Sequence, residues 1–166
     1  MEMKKNLPNR KRNRLKEYDY SLNNFYYVTI CMQNRKEFFS KIVNEKLVLS
    51  QFGKIVTDVL NNLPKYYPCE LDEYVVMPDH IHAIIILNNE GDKIRISIST
   101  VIQRFKTFTS KKINELSVDQ EKFHWQKSFY DRIIRDEKEL YMIRNYIRLN
   151  PLKWELDKDR PENLDI

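Results

Sequence analysis

Glycine is almost missing from this chain, with two in 166 residues. Loops that cradle phosphates with closely spaced glycines have no place here, so neither a Walker-type NTPase nor a Rossmann enzyme is expected. Cysteine is equally scarce. Cys31 and Cys69 lie far apart with no CxxC spacing, which disfavours a disulfide framework and a structural zinc site. No apolar run approaches the length of a membrane span. The charged N-terminus lacks the apolar stretch of a secretory signal. The chain therefore reads as a soluble, cytoplasmic protein of one domain.

Charge is in moderate excess on one side, at +5, and its distribution says more than its size. Lys4, Lys5, Arg10, Lys11, Arg12, Arg14 and Lys16 crowd the N-terminus, and Arg104, Lys106, Lys111 and Lys112 fall within one predicted helix. Both clusters suit a polyanionic partner, although a solvated tail and an ordinary helix surface would look the same.

Histidine numbers only three, and two of them form His80-Ile81-His82 at the head of an apolar, β-branched run ending at Leu87. Such a run reads as a buried strand. Residues two apart on a strand share a face, so both imidazoles project together and make half of a divalent-metal site. The plainer alternative is a pair of half-buried histidines filling a sheet.

Around this pair the pattern is regular. A first strand is expected at Phe25–Cys31. Ser50 opens a helix carrying Ile55, Val56, Val59, Leu60 and Leu63, which Pro64 and Pro68 should stop. A second strand spans Leu71–Met77, and the tight turn Met77-Pro78-Asp79 leads into the histidine strand. A loop follows at Asn88-Asn89-Glu90-Gly91-Asp92. Ser97 or Ser99 caps a second helix with Ile98, Val101, Ile102, Phe105, Phe108 and Ile113 inward. A fourth strand lies at Phe129–Ile134. Asp136 and Glu139 then cap a third helix that Pro151 should end. The order predicts an α+β fold: an antiparallel sheet with helices mainly on one face, close to the ferredoxin-like arrangement. The expected division is a basic arm over 1–20, a single domain over 21–153 and a short tail over 154–166.

In the third helix, Leu140, Ile143 and Ile147 form the buried stripe, with Tyr146 and Asn150 one turn apart beside it. A tyrosine can act as a covalent nucleophile, and a metal on the histidines could polarise a phosphate for it. A core tyrosine with a satisfied hydroxyl is the ordinary alternative.

Taken together, Met77-Pro78-Asp79-His80-Ile81-His82, Trp125-Gln126, Phe129-Tyr130-Asp131-Arg132-Ile133-Ile134-Arg135-Asp136 and Tyr146-Ile147-Arg148-Leu149-Asn150-Pro151 resemble the single-tyrosine HUH transposases of the insertion-sequence-200-like superfamily. Within it they are more similar to REP-associated tyrosine transposases. The resemblance covers about Arg12 to Lys153. It implies the HUH endonuclease type of fold and a metal-dependent, transposase-like enzyme that cuts and transfers single-stranded DNA. His80 and His82 would bind Mg²⁺ or Mn²⁺, and Tyr146 would form a 5′-phosphotyrosine. Many relatives carry a glutamine where this chain has Asn150, so the third ligand is Asn150, a water or another side chain. The partner implied is single-stranded or hairpin DNA, touched by Arg10, Lys11, Arg12, Arg14, Arg104, Lys106, Lys111 and Lys112. Tyr66, Tyr67 or Trp125 could stack on unpaired bases. Relatives act as monomers or homodimers, and the sequence does not choose. Two other classes fit the same scaffold: a non-catalytic nucleic-acid-binding module and a hydrolytic metalloenzyme with no covalent step.

Overall fold

The computed structural model describes residues 14–44, 46–91, 95–117 and 122–156, the side chains of 155 and 156 excepted. Arg10, Lys11 and Arg12 lie outside the described residues. Strands β1 (Phe25–Cys31), β4 (Cys69–Val76), β5 (His80–Leu87) and β6 (Tyr130–Ile134) form one sheet in the order β4-β5-β1-β6. All its pairings are antiparallel. Helix α1 (Gln51–Tyr66) joins β1 to β4, and α2 (Ile98–Leu116) joins β5 to β6. This is the ferredoxin-like topology the element order predicts. The hairpin β2 (Ser40–Val43) and β3 (Lys46–Leu49) was not expected; its strands are short and half exposed, so their apolar pattern is weak.

The sheet separates two cores. On one face Tyr26, Val28, Ile30, Ile81, Ala83 and Ile85 pack with residues of α1 and α2. On the other, Tyr27, Ile84 and Ile134 pack with Ile143 and Ile147 of α3 (Glu137–Leu156). Alternation along β1 and β5 produces the division. Because His80 and His82 share a parity with Ile84, they lie on the α3 face. Two of the three helices thus share a face, and the third covers the histidines.

Caps match the sequence signals closely. Ser50 Oγ accepts from Gly53 N at 3.1 Å and Ser97 Oγ from Thr100 N at 3.2 Å, so Ser97, not Ser99, caps α2. Asp136 Oδ1 accepts from Glu139 N at 2.8 Å, and Glu139 Oε2 reaches back to Arg135 N at 2.8 Å. Two expectations need correction. Pro64 and Pro151 both lie inside their helices. Each sits near a C-terminal end, where a proline forfeits one backbone bond while packing of the flanking residues continues. Phe108 is 48% exposed, and Thr109 is buried in its place, its hydroxyl accepting from Trp125 Nε1 at 2.8 Å.

Candidate active site

Four of the residues singled out in the sequence meet on the α3 face. The rings of His80 and His82 have centroids 4.5 Å apart, with their Nε2 atoms 3.0 Å apart. Each Nδ1 is already engaged. His80 Nδ1 lies 2.5 Å from Asp79 Oδ1, while His82 Nδ1 lies 2.7 Å from the Tyr27 hydroxyl and 2.9 Å from Thr29 Oγ1. With Nδ1–H donating on both rings, the lone pairs of both Nε2 atoms converge on one point. Two bonds of about 2.1 Å at roughly a right angle span about 3 Å, so the spacing suits a shared ion. Partners on the remote nitrogens are what orient metal-binding imidazoles. Both rings are buried, at 3% and 2% exposure.

Burial pushes the His80 pKa down against the pull of Asp79, and it pushes that of His82 well down, helped by His80 itself. Both imidazoles are therefore neutral at neutral pH and free to donate their lone pairs. Asp79 is held in turn: its Oδ2 accepts from Arg35 Nε at 2.7 Å, and its backbone carbonyl accepts from Met32 N at 2.9 Å. Arg35 sits in a turn where Asn34 and it have φ of 62° and 52°. The left-handed backbone turns this guanidinium toward the motif.

Helix α3 delivers the phenol. The Tyr146 ring meets that of His82 at 5.4 Å and 73°, and Tyr27 at 6.5 Å and 89°. Burial raises the Tyr146 pKa, and a hydrogen bond from the Asn150 side chain opposes the shift. Asn150 is buried at 6% exposure. With its amide N–H on the phenol, its Oδ1 is left as a possible oxygen ligand. Among the described residues, no third His, Cys, Asp or Glu joins the imidazoles. Beyond Pro151 the helix places Lys153 Nζ 5.5 Å from the Tyr146 ring centroid and Trp154 5.6 Å from the His80 ring.

The position of α3 is fixed by ions on β4. Arg144 pairs with both oxygens of Asp72 at 2.8 and 3.0 Å, and Arg148 binds Glu73 at 2.6 Å. Neighbouring strand residues usually point to opposite faces. The register shift between Leu71 and Tyr74 lets both acids reach the same helix.

The basic residues are not gathered here. Arg14 pairs with Asp131 at 2.9 Å, its guanidinium between the rings of Tyr20 and Phe129. On α2, across the sheet from the histidines, Lys112 meets Asp58 at 3.3 Å and Lys111 meets Glu115 at 4.0 Å. Lys106 donates to the carbonyls of Gln126 and Ser128 at 2.8 and 3.0 Å, its pKa lowered by burial to about 8. Arg104 is exposed. Tyr66 is 75% exposed, Tyr67 is half-buried, and Trp125 is core at 8%. Asp79, Tyr27, Thr29 and Arg35 escaped the sequence reading of the site. The acid beside His80 and the parity of Tyr27 and Thr29 were usable signals, whereas Arg35 depends on tertiary folding alone.

Comparison with known proteins bears on the fold and the family. An uncharacterised protein of Haemophilus influenzae is 34% identical, over 87% of this chain and 89% of the relative. A second protein of that organism, named as a candidate REP-associated tyrosine transposase, is 27% identical over 86% of this chain and 80% of its own length. The fold matches a REP-associated tyrosine transposase solved bound to a REP hairpin, with a TM-score of 0.63 at 20% identity, over 89% of this chain and 81% of that one. No helix among the described residues is long and apolar enough to cross a membrane. The profile of the family described as "Transposase IS200 like" matches residues 21–150, and the chain belongs to that family.

Proposed function

We propose that this protein is a metal-dependent single-stranded DNA endonuclease and strand transferase, working through a 5′-phosphotyrosine on hairpin-containing DNA. The observation that carries the reading is the meeting of the Tyr146 and His82 rings, 5.4 Å apart, where two Nε2 atoms converge at 3.0 Å.

His80 and His82 would hold Mg²⁺ or Mn²⁺ through Nε2, with Asn150 Oδ1 or water completing the set. Two nitrogen donors make Mn²⁺ at least as suitable as Mg²⁺, which favours oxygen. Such an ion supplies charge neutralisation at a phosphate oxygen and orients the scissile bond. The chain's own residues supply the rest. Asp79, Tyr27 and Thr29 hold the imidazoles, and Asn150 holds the phenol oxygen while favouring its ionised form. The Tyr146 oxygen bonds to phosphorus as the bond to the 3′-oxygen breaks. The phenolic proton goes to solvent and the departing oxygen takes one up. The products are a 5′-phosphotyrosine and a free 3′-hydroxyl. Attack by a 3′-hydroxyl reverses the step, so strands rejoin with no external energy source.

The test is incubation with single-stranded hairpin DNA and Mn²⁺, followed by a denaturing gel. A protein–DNA adduct is expected from wild type and none from Tyr146→Phe, with hairpin binding unchanged. Cleavage surviving that substitution would mark a hydrolytic metalloenzyme; absence of cleavage by wild type would leave a binding module.

A further inference from the structure

We propose that Lys153 is a phosphate-binding residue of the active site, its ammonium holding a non-bridging oxygen of the phosphate presented to Tyr146. This rests on the cleavage reading above and adds to it a cation supplied by the chain itself.

Tyr146, Asn150 and Lys153 are spaced by four and then three residues, so they share one stripe of α3. A phenol, an amide and an ammonium thus follow one another along the helix. Lys153 joins them only because α3 runs on through Pro151 to Leu156. The extra turn packs over the histidine motif through Trp154, whose ring lies 5.6 Å from that of His80. From there Lys153 Nζ stands 5.5 Å from the Tyr146 ring centroid. A phosphate group suits a gap of this order. Phosphorus sits about 3 Å from an attacking oxygen, and a phosphoryl oxygen accepts from an ammonium at about 2.8 Å.

The neighbouring arginines are committed elsewhere. Arg35 binds Asp79, Arg144 binds Asp72 and Arg148 binds Glu73. Lys153 is exposed, and among the described residues no acid pairs with it. The face of a tyrosine ring is a weak partner for a solvated ammonium, so an anion can take it over. Attack on a phosphodiester gathers negative charge on the phosphate oxygens, and a cation already in place there lowers the barrier. Lys153 gives up no proton. The bond formed is still that from Tyr146 Oη to phosphorus, and the bond broken is that to the 3′-oxygen. An ammonium acts here as a point charge on a flexible stem, which leaves room for strands of different approach.

The experiment is fluorescence anisotropy with the full chain carrying Tyr146→Phe, which keeps the ring and cannot form the adduct. The probes are hairpin oligonucleotides with a single-stranded extension in which each phosphate in turn is an uncharged methylphosphonate. One position should lose about tenfold in affinity, and it should be the phosphate at which wild type forms its adduct. Adding Lys153→Ala should abolish the loss at that position alone, whereas Lys153→Arg should keep it. With Tyr146 intact and DNA saturating, Lys153→Ala should slow adduct formation by about tenfold or more, and Lys153→Arg should slow it far less. A merely solvated lysine predicts the same phosphate profile with and without the side chain. That result, or a sensitive phosphate away from the cut, would overturn the proposal. A Lys153-dependent phosphate in a chain that forms no adduct would sink the cleavage reading and leave the phosphate contact standing.

Discussion

Tyr146 lies edge-on to His82, ring centroids 5.4 Å apart at 73°, although one comes from the closing helix and the other from an inner strand. The contact is made within one chain. Arg144 and Arg148, on the turns either side of Tyr146, reach Asp72 and Glu73 on β4. Tyr146 and the imidazoles therefore share one frame, as the proposed in-line displacement requires.

Asp79→Asn should weaken Mn²⁺ binding by about 10- to 100-fold, the usual effect of losing the partner of a metal-bound imidazole. Titration calorimetry would measure it. An unchanged affinity would show that the carboxylate on His80 Nδ1 has no part in setting up Nε2.

Adduct formation should rise with pH. In the proposed reaction Tyr146 attacks as the phenolate, and burial lifts its pKa above the ordinary tyrosine value. Below that pKa the ionised fraction grows about tenfold per pH unit. Asn150→Ala removes the hydrogen bond that opposes the lift, so the rise should move to higher pH. A profile flat between pH 7 and 9, with chemistry confirmed as rate-limiting, would contradict this.

The Arg144–Asp72 pair should act on rate more than on stability. Both groups are partly exposed, so a double-mutant cycle in urea should give a coupling of about 1 kcal/mol or less. Adduct formation should fall further than that coupling accounts for, because the helix carrying the phenol is released.

Gly53→Ala should destabilise the fold by about 2–3 kcal/mol, as overpacking of a tight site does. A Cβ there would run into the Phe39 carbonyl oxygen, which is backbone and cannot rotate aside. Thermal melts should show a loss on the order of 5–10 °C. The substitution tests packing alone, since Gly53 lies on the face away from the histidines.

Local patterns carried most of the architecture. The β-branched run after His80, the serine caps and the apolar stripes of α1 and α3 each follow from spacing that tertiary packing left intact. The missed hairpin β2–β3 has strands of only four residues, too short for alternation to stand out. The prolines misled because loss of one backbone bond near a helix end is a local cost, and the sequence does not display the packing that offsets it. Within the site, His80 and His82 were legible through strand parity, and Tyr146 and Asn150 through helical spacing. Arg35 was not, since it reaches Asp79 from a turn whose handedness is set by two non-glycine residues at positive φ. The separation of the basic helix from the imidazoles was hidden for a similar reason. A charge cluster in a sequence suits a polyanion but does not display the side of a sheet on which it ends.

That separation sets a geometric rule. On the proposed function, a strand held by α2 and also presented to Tyr146 would have to travel round the margin of the sheet, past the packed layer on each side. Length then becomes a selector. The count of nucleotides between a docked stem and the cut would decide which phosphorus arrives at the phenol, as a tether decides how far its end can swing.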